Sequence, residues 1–293
     1  MTKTAWLFPG QGSQTQGMGA DLVNWPLARS RFEQAEQILG WSVLEICQGE
    51  EAQLAQTRYT QPCLYVIESL LAEALLLQGQ APTVVAGHSL GEYVALYVAG
   101  VFDFETGLTL VKQRAELMAQ VAGGMMAALI GFDRGELETQ LQQTQGVVLA
   151  NDNSSAQVVI SGTPEAVEKI MASVKTKRGI KLNVSGAFHS PMMAIAATEF
   201  EQVLSTVPFA AARFPVLSNV EPMATTDPEI LKHRLSQQMT GTVRWRETCL
   251  TLSEFDIEKV IEIGPGKVLT GLVKRICPDL ALENIAEYAQ VMD

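Results

Sequence analysis

The chain has 293 residues, a mass of 31.8 kDa, 47% hydrophobic residues and 18% charged residues. This composition is typical of a globular protein with one large domain or two unequal ones, and it excludes collagen, coiled coils and disordered chains. Because 32 acidic residues outnumber 21 basic ones and the formal net charge is -11, a dedicated nucleic-acid binder is not expected, since DNA phosphates would be repelled.

Neither the cysteines nor the apolar stretches indicate a special environment. The four cysteines form no Cys-x-x-Cys pair, so we expect free thiols in a reducing cytoplasm and no metal site or bound cofactor. They are Cys47, Cys63, Cys249 and Cys277. The opening residues are too few for a signal peptide, and the charge-free stretch 74–91 contains glutamine, proline and histidine, which are costly in hydrocarbon. We therefore predict a cytoplasmic protein without a membrane span.

The first part of the chain reads as a buried strand followed by a loop. Residues 4–8 are a short apolar run that ends at a Pro-Gly pair, and residues 11–14 form a polar, glycine-containing loop. Apolar positions then recur at helical spacing over residues 61–77, with Thr60 as the expected cap. A loop at the carboxyl end of a strand is a usual place for chemistry.

The next segments predict an α/β unit. Residues 83–86 are expected to form a strand, and a helix that is apolar almost all round begins near Leu90, which implies that it is buried. A second helix is expected over residues 104–119. The glycine-rich residues 122–124 break this pattern.

A different rhythm follows over about sixty residues. Strands are expected at 125–132, 147–150, 157–161 and 180–184, and helices at 135–143 and 164–177. The order βαββαβ is that of a ferredoxin-like fold. We therefore predict a small inserted domain over residues 123–189.

Helices and strands alternate again after this insert. Helices are expected at 191–205, 228–239, 246–255 and 266–276, and strands at 215–218 and 259–263. The large α/β domain is thus predicted to consist of residues 1–122 and 190–293, drawn from both ends of the chain.

The sharpest chemical signal is the sequence GHSLG at residues 87–91, a G-x-S-x-G motif between a predicted strand and a predicted helix. The glycines permit a tight turn, so Ser89 would project its hydroxyl at a helix N-terminus, where backbone N–H groups can stabilise an oxyanion. The alternative is an ordinary glycine-flanked serine in a strand-to-helix turn.

A nucleophilic serine needs a base, and the chain has three histidines. His233 lies in a charged helical stretch, which indicates the surface. His88 adjoins the serine at a tight turn, where neighbouring side chains point apart, so it is assigned a supporting role near the substrate. His189 lies in a loop that leaves the small domain, and a cleft between domains suits a base.

Two further residues suggest how an acyl group could be held. Arg114 lies on a helix with an apolar face, and an arginine beside a cleft can bind a carboxylate through two parallel N–H bonds. Gln11 follows the first strand and could donate to an oxyanion from its backbone or side chain. From these residues alone, solvated side chains remain the alternative for both.

Four separated segments fit one known pattern, in its order along the chain. They are FPGQGSQ (8–14), GHSLGEY (87–93), GAFHSP (186–191) and EIGPGKVLTG (262–271). Over nearly its whole length the chain resembles the malonyl-CoA:acyl carrier protein transacylases. That family has an α/β-hydrolase-like large domain with a ferredoxin-like insert, which agrees with the predicted element order.

The resemblance implies a role for each candidate residue. Ser89 would be malonylated, with His189 as general base and acid. Gln11 and the backbone N–H of Leu90 would form the oxyanion hole, and Arg114 would bind the malonyl carboxylate. The histidine would be oriented by a backbone carbonyl in the segment TVRW (242–245), which we place at or beside Arg244.

The residue before the histidine suggests substrate choice. Phe188 matches malonyl-selective members, whereas methylmalonyl-selective relatives tend to have serine. His88 is grouped with it at the substrate pocket. Packing against one methyl group discriminates by about 1–3 kcal/mol.

The resemblance also implies partners. Malonyl-CoA and acyl carrier protein are expected, without nucleic acid or membrane, and a monomer is expected. Because carrier proteins are acidic, a local basic face is needed. The candidates are Lys175, Lys177, Arg178 and Lys181 on the small domain and Lys267, Lys274 and Arg275 near the carboxyl-terminal helix. Alternatives are a serine esterase or thioesterase, a docking protein without turnover, and an acyltransferase that serves a polyketide synthase.

Overall fold

The computed structural model describes residues 2–184 and 186–292. Its strands are β1 Thr4–Phe8, β2 Val84–Gly87, β3 Met125–Phe132, β4 Val147–Ser154, β5 Gln157–Gly162, β6 Thr176–Lys181, β7 Val216–Leu217, β8 Lys259–Ile263 and β9 Ala281–Ile285. Its α-helices are α1 Pro26–Leu39, α2 Val43–Gln48, α3 Glu51–Leu54, α4 Thr57–Leu77, α5 Gly91–Val98, α6 Phe104–Gln120, α7 Arg134–Gln143, α8 Pro164–Ser173, α9 Ala194–Ser205, α10 Pro228–Gln237, α11 Trp245–Thr251, α12 Val268–Ile276 and α13 Ala289–Met292. Short 3-10 helices lie at Ala20–Asn24, Pro191–Met193 and Leu252–Phe255.

The larger sheet is parallel, with the strand order β7-β2-β1-β8-β9. β1 and β2 are buried almost throughout because helices cover both faces of the sheet, which is why their sequences are continuous apolar runs. Phe8 pairs with Gly87, so these two strands end side by side. The loops that follow them therefore meet at one edge of the sheet.

The smaller sheet is antiparallel, with the order β4-β5-β3-β6. One of its faces packs on α7 and α8 through an apolar cluster that includes Leu129, Ile160 and Ile170. Its opposite face contributes Met126 and Val159 to the main core. The sheet thus forms a wall beside the parallel sheet rather than a separate body.

Most predicted elements are present, and three of the strands, β1, β3 and β8, have the predicted limits. The helix predicted at 61–77 begins at Thr57, so Thr60 is not its cap; Thr60 Oγ1 donates to the carbonyl of Leu54. No element was predicted over residues 15–56, where α1 to α3 lie.

One boundary in the small sheet was predicted wrongly. The helix expected to reach residue 177 ends at Ser173, and the strand expected at 180–184 is β6, Thr176–Lys181. β6 is an edge strand whose residues are exposed or half-exposed, so it lacks the apolar alternation that identifies a half-buried strand.

By length and hydropathy, α4 is the one described helix that could cross a membrane. Its most apolar window is 83% buried inside the protein, which is typical of a core helix. It packs against α5 and α6 and brings Gln61 to the site described next.

Candidate active site

Ser89 lies in a sharp turn between β2 and α5, with a φ of 52°. A left-handed conformation is strained for a residue with a side chain and is a frequent mark of a functional turn. The flanking glycines allow close approach: a methyl group at Gly91 would lie 2.0 Å from the carbonyl oxygen of Phe8, and one at Gly87 would lie 1.8 Å from the carbonyl carbon of Gly91. The turn therefore requires glycine on both sides of the serine.

His189 faces this serine. Its Nε2 lies 2.8 Å from Ser89 Oγ, and it too has a positive φ, of 56°. Its Nδ1 lies 2.9 Å from the carbonyl oxygen of Gln238 and 3.2 Å from that of Gly241. Because carbonyls only accept, Nδ1 carries the hydrogen and Nε2 presents its lone pair to the serine hydroxyl.

The prediction that Arg244 supplies this carbonyl is wrong. The backbone N–H of Arg244 donates to the carbonyl of Asn219, and its guanidinium pairs with Glu247. The chain between α10 and α11 turns back over the imidazole three to six residues earlier, which places Gln238 and Gly241 at Nδ1.

The surroundings of His189 keep its ring neutral. Burial lowers the pKa of His189 to about 3, and the positive charge of Arg114 lowers it further, whereas the bond to the Gln238 carbonyl acts in the opposite direction. A neutral imidazole with a free Nε2 can accept a proton.

Arg114 reaches the same hydroxyl from α6. Its side chain is fully buried, and its Nη2 donates to Ser89 Oγ at 3.0 Å and to Gln238 Oε1 at 2.9 Å. Its Nη1 donates to Gln61 Oε1 at 2.7 Å, and its Nε has no partner among the described residues. Burial lowers the pKa of Arg114, but a guanidinium stays charged in proteins. The site thus holds a positive charge beside the nucleophile.

A set of neutral amides that the sequence did not reveal supports the turn. Asn219 Oδ1 accepts from the backbone N–H of Ser89 at 2.7 Å, and its Nδ2 donates to the carbonyl of Gly87 at 2.6 Å. Gln238 Nε2 donates to the carbonyl of Ser89 at 2.9 Å and to Glu92 Oε2 at 2.7 Å. Burial raises the pKa of Glu92 to about 7. The one signal in the sequence was a glutamate in a helix that is otherwise apolar.

The loop after β1 lies against the nucleophile turn. A methyl group at Gly10 would lie 3.7 Å from the backbone nitrogen of Leu90. Gln11 Nε2 donates to Thr57 Oγ1 at 3.2 Å, so its side-chain amide is engaged. Within residues 2–184 and 186–292, the backbone N–H groups of Gln11 and Leu90 have no acceptor.

A cavity of about 180 Å³ opens onto Ser89. Phe188 is 6% exposed and lines this cavity, and so does His88. His88 Nε2 lies 2.9 Å from Asn153 Oδ1, and the ring packs edge-on against Trp245. Burial lowers the pKa of His88. Among the described residues, no three His, Cys, Asp or Glu side chains lie close enough together to hold a metal ion.

The remaining candidates lie at the surface. Lys177 and Arg178 are exposed on β6, and Lys274 and Arg275 are exposed in the last turn of α12. Arg275 Nη1 donates to Gln157 Oε1 at 3.2 Å. The first half of α12 lines the cavity, so this helix links the cavity to the basic residues. His233 is exposed, as predicted.

Comparison with known families decides the class of this site. A family model described as an acyl transferase domain matches residues 5–290. The chain belongs to the acyl transferase family. This acyl transferase is 59% identical over 285 residues to the malonyl CoA-acyl carrier protein transacylase of Synechocystis, with 97% of each chain covered.

Solved structures agree with this placement. The crystal structure of the Synechocystis malonyl-CoA:ACP transacylase aligns with the acyl transferase at a TM-score of 0.98 and 58% identity, with 99% of each chain covered. A malonyl-transacylase in complex with its type II polyketide synthase acyl-carrier protein aligns at 0.94 and 37% identity, with 99% of this chain and 98% of that chain covered. The α/β fold with one parallel and one small antiparallel sheet is that of these relatives.

Proposed function

We propose that this acyl transferase moves the malonyl group of malonyl-CoA to the phosphopantetheine thiol of acyl carrier protein, through an ester on Ser89, and so supplies fatty acid synthesis. The observation that carries the proposal is the convergence of His189 Nε2 and the buried Arg114 guanidinium on one serine hydroxyl, 2.8 and 3.0 Å away. The relative at 59% identity bears the name of this activity.

The first half-reaction acylates the serine. His189 Nε2 takes the proton of Ser89 Oγ while Oγ attacks the thioester carbonyl carbon, and the carbonyl electron pair moves onto oxygen. When the carbonyl re-forms, the carbon–sulfur bond breaks, and coenzyme A leaves as a thiol with the proton from His189. A malonyl ester remains on Ser89.

The second half-reaction reverses these roles. The carrier's thiol gives its proton to His189 and its sulfur attacks the ester carbon. The bond to Ser89 Oγ then breaks and the serine recovers the proton. The overall mechanism is ping-pong, since coenzyme A leaves before the carrier thiol reacts.

The negative oxygen of each tetrahedral intermediate needs donors that are already in place. We assign the backbone N–H groups of Leu90 and Gln11, which have no acceptor among the described residues. Because Thr57 holds the Gln11 side chain, the backbone rather than the side-chain amide is the donor we assign.

Arg114 and Phe188 are proposed to select the acyl group. A malonyl carboxylate could take the unpartnered Nε and the Nη2 of Arg114 as a planar pair of donors, releasing Nη2 from the serine. Phe188 fills the wall of a small cavity and leaves little room for a branch at the α-carbon. His88 supports this wall through Asn153.

The basic residues Lys177, Arg178, Lys274 and Arg275 are proposed to receive the acidic carrier protein. Their position at the mouth of the cavity, along α12 and β6, supports this role. We further propose that no cofactor or metal takes part, because the proton transfers and charge stabilisation above need none, and that the reaction takes place in the cytoplasm.

The two sheets are proposed to mark an α/β-hydrolase-like large domain, residues 1–122 and 190–293, and a ferredoxin-like small domain, residues 123–189. The serine turn after a central parallel strand supports the first assignment, and the antiparallel order β4-β5-β3-β6 with two helices on one face supports the second.

Intact-protein mass spectrometry after brief mixing with malonyl-CoA tests the function. We expect a malonyl adduct that is absent in Ser89→Ala, strongly reduced in Arg114→Ala and removed when carrier protein is added. Lys112→Ala, which removes a cation from the same helix, is the matched control and should be acylated normally. Folded protein that forms no adduct, or that releases free malonate rapidly without a thiol, would contradict the proposal, and the second result would indicate an esterase.

A further inference from the structure

Arg114 is held by neutral partners. Its side-chain acceptors are Gln61 Oε1, Gln238 Oε1 and the serine hydroxyl. Among the described residues, no carboxylate forms an ion pair with it. A fully buried guanidinium without a counter-ion is unusual, because unpaired charges are costly to bury.

The nearest carboxylate in this hydrogen-bond network stands one amide away. Glu92 Oε2 accepts from Gln238 Nε2 at 2.7 Å, while Oε1 of the same amide accepts from Arg114. The amide orientation is fixed, since Nε2 must face two acceptors and Oε1 a donor. Gln238 therefore keeps the two charged groups apart.

Gln61 is the cleaner position at which to ask what neutrality does. Its Oε1 accepts from Arg114 Nη1, and its Nε2 lies 3.6 Å from the sulfur of Met118, a weak acceptor. A glutamate would keep the oxygen that faces Arg114 and would lose only the weak contact with sulfur. It would also neutralise the guanidinium. The amide is thus replaceable in shape and not in charge.

We propose that Gln61 is a specificity-determining residue of this acyl transferase. Its neutral oxygen holds the guanidinium in position and leaves the positive charge to be balanced by the carboxylate of the incoming acyl group. An acyl chain that carries a carboxylate is then favoured over an uncharged chain of similar length. This inference rests on the proposed role of Arg114 as the carboxylate-binding group.

Two variants separate charge from geometry. Gln61→Glu keeps the acceptor and adds a charge, whereas Gln61→Met removes the acceptor and adds none. For each variant and for the unaltered protein, the rate of Ser89 acylation is measured by intact mass at rising concentrations of malonyl-CoA and of acetyl-CoA. In Gln61→Glu we expect the malonyl-to-acetyl ratio to fall at least about tenfold, mainly through weaker binding of malonyl-CoA, because an ion pair inside the cavity replaces that with the substrate. In Gln61→Met we expect both rates to fall and the ratio to stay within about threefold, because the charge of Arg114 is still unbalanced.

An unchanged ratio in acylated Gln61→Glu would overturn the inference, and so would an equal collapse of the ratio in Gln61→Met. Should Gln61→Glu lose its cooperative thermal unfolding, Gln61→Met alone still decides, since only a retained ratio is compatible. Failure of the proposed function is distinguishable, because it would appear in the unaltered protein as equal acylation by both thioesters or none.

Discussion

Ser89 and His189 are two of the three non-glycine residues with positive φ among the described residues. The third, Asp256, follows a 3-10 helix and is exposed. A side chain in this conformation costs about 1–2 kcal/mol. Since both strained residues face each other across 2.8 Å, the backbone fixes the attacking oxygen and its base before any substrate binds.

The neutral state of His189 has a consequence for pH dependence. Burial lowers its pKa to about 3, below the ordinary value of 6.5, so the ring stays unprotonated as the pH falls through the usual range. We expect the acylation rate at low malonyl-CoA to be constant from about pH 8 to about pH 5 and to fall only in more acidic solution. Rapid-quench measurement of the adduct over this range checks it; a half-loss near pH 6.5 would show instead a solvated imidazole.

Phe188 allows a test of packing against the acyl chain. Replacing Phe188 by Ser removes a buried ring from the cavity wall and makes room for a methyl branch. We expect the preference for malonyl-CoA over methylmalonyl-CoA to fall about tenfold. Competition between the two thioesters, read by adduct mass, measures this preference. Phe188→Leu is the control that keeps an apolar side chain, and an unchanged preference in both variants would show that another wall discriminates.

Single residues were predictable where a motif fixes their chemistry. Ser89 and His189 come from short segments whose residue types have few other uses, and the structure brings them together. Gln61, Asn219 and Gln238 carry no such signal, because a neutral amide is common in any polar stretch and acquires meaning only from what folds against it. The carbonyl assigned to Arg244 was missed for the same reason, since every residue has one.

The turn between β2 and α5 is the element that the site depends on most. It fits only because β1 passes within contact distance of the first helical residue. In Gly91→Ala, a methyl group 2.0 Å from the Phe8 carbonyl must push α5 away from β1. We expect a loss of about 1–3 kcal/mol in the free energy of unfolding, together with a loss of acylation.

Gly271→Ala provides the matched control. Gly271 lies inside α12, and nothing lies within 4 Å of an added methyl group there. The same substitution should increase stability by about 0.5–1 kcal/mol, because alanine is the better helix former. Urea denaturation of both variants compares them; equal effects at the two glycines would contradict the close-approach argument.

Elements were predictable in proportion to how deeply they are buried. β1 and β8 lie in the middle of the parallel sheet and read as short apolar runs with clear ends. α1 has no side chain that caps its start, and its first turn follows a proline, so its mixed sequence lacks a clear helical start signal. The edge strand β6 was displaced because its exposed residues need not alternate.

At the scale of the whole molecule, the small sheet is fastened next to the segment that orients the base. The backbone N–H of Val243 donates to the carbonyl of Ala150, and that of Asp152 donates to the carbonyl of Val243. Asp152 also pairs with Arg246, at 3.0 Å. Since Gly241 lies two residues before this clasp, the position of His189 depends on how the two sheets are joined.

The charge of the whole molecule makes the basic residues near the cavity testable. In a protein of net charge -11, a small positive region should dominate the approach of an acidic partner at low salt. We expect the double variant Lys274→Glu, Arg275→Glu to slow malonyl transfer to carrier protein about tenfold or more at low salt, with a smaller effect at high salt. Formation of the malonyl adduct from malonyl-CoA should be much less affected.

Lys169→Glu is the control for this double variant, because Lys169 is exposed on α8, on the far side of the small sheet. Transfer rates with purified carrier protein at two salt concentrations measure both. Equal slowing by the control would reduce the effect to net charge, and normal rates in the double variant would remove α12 from the docking surface.

The pairing of Thr4 with Lys259 places the centre of the parallel sheet at two distant points of the chain. During synthesis, β1 therefore waits for its inner neighbour until almost the entire polypeptide has left the ribosome. The antiparallel sheet between Met125 and Lys181 is contiguous and can close much earlier. A nascent chain would then contain a folded insert flanked by an open, apolar α/β half, whose exposed strands are the part that chaperones would need to protect.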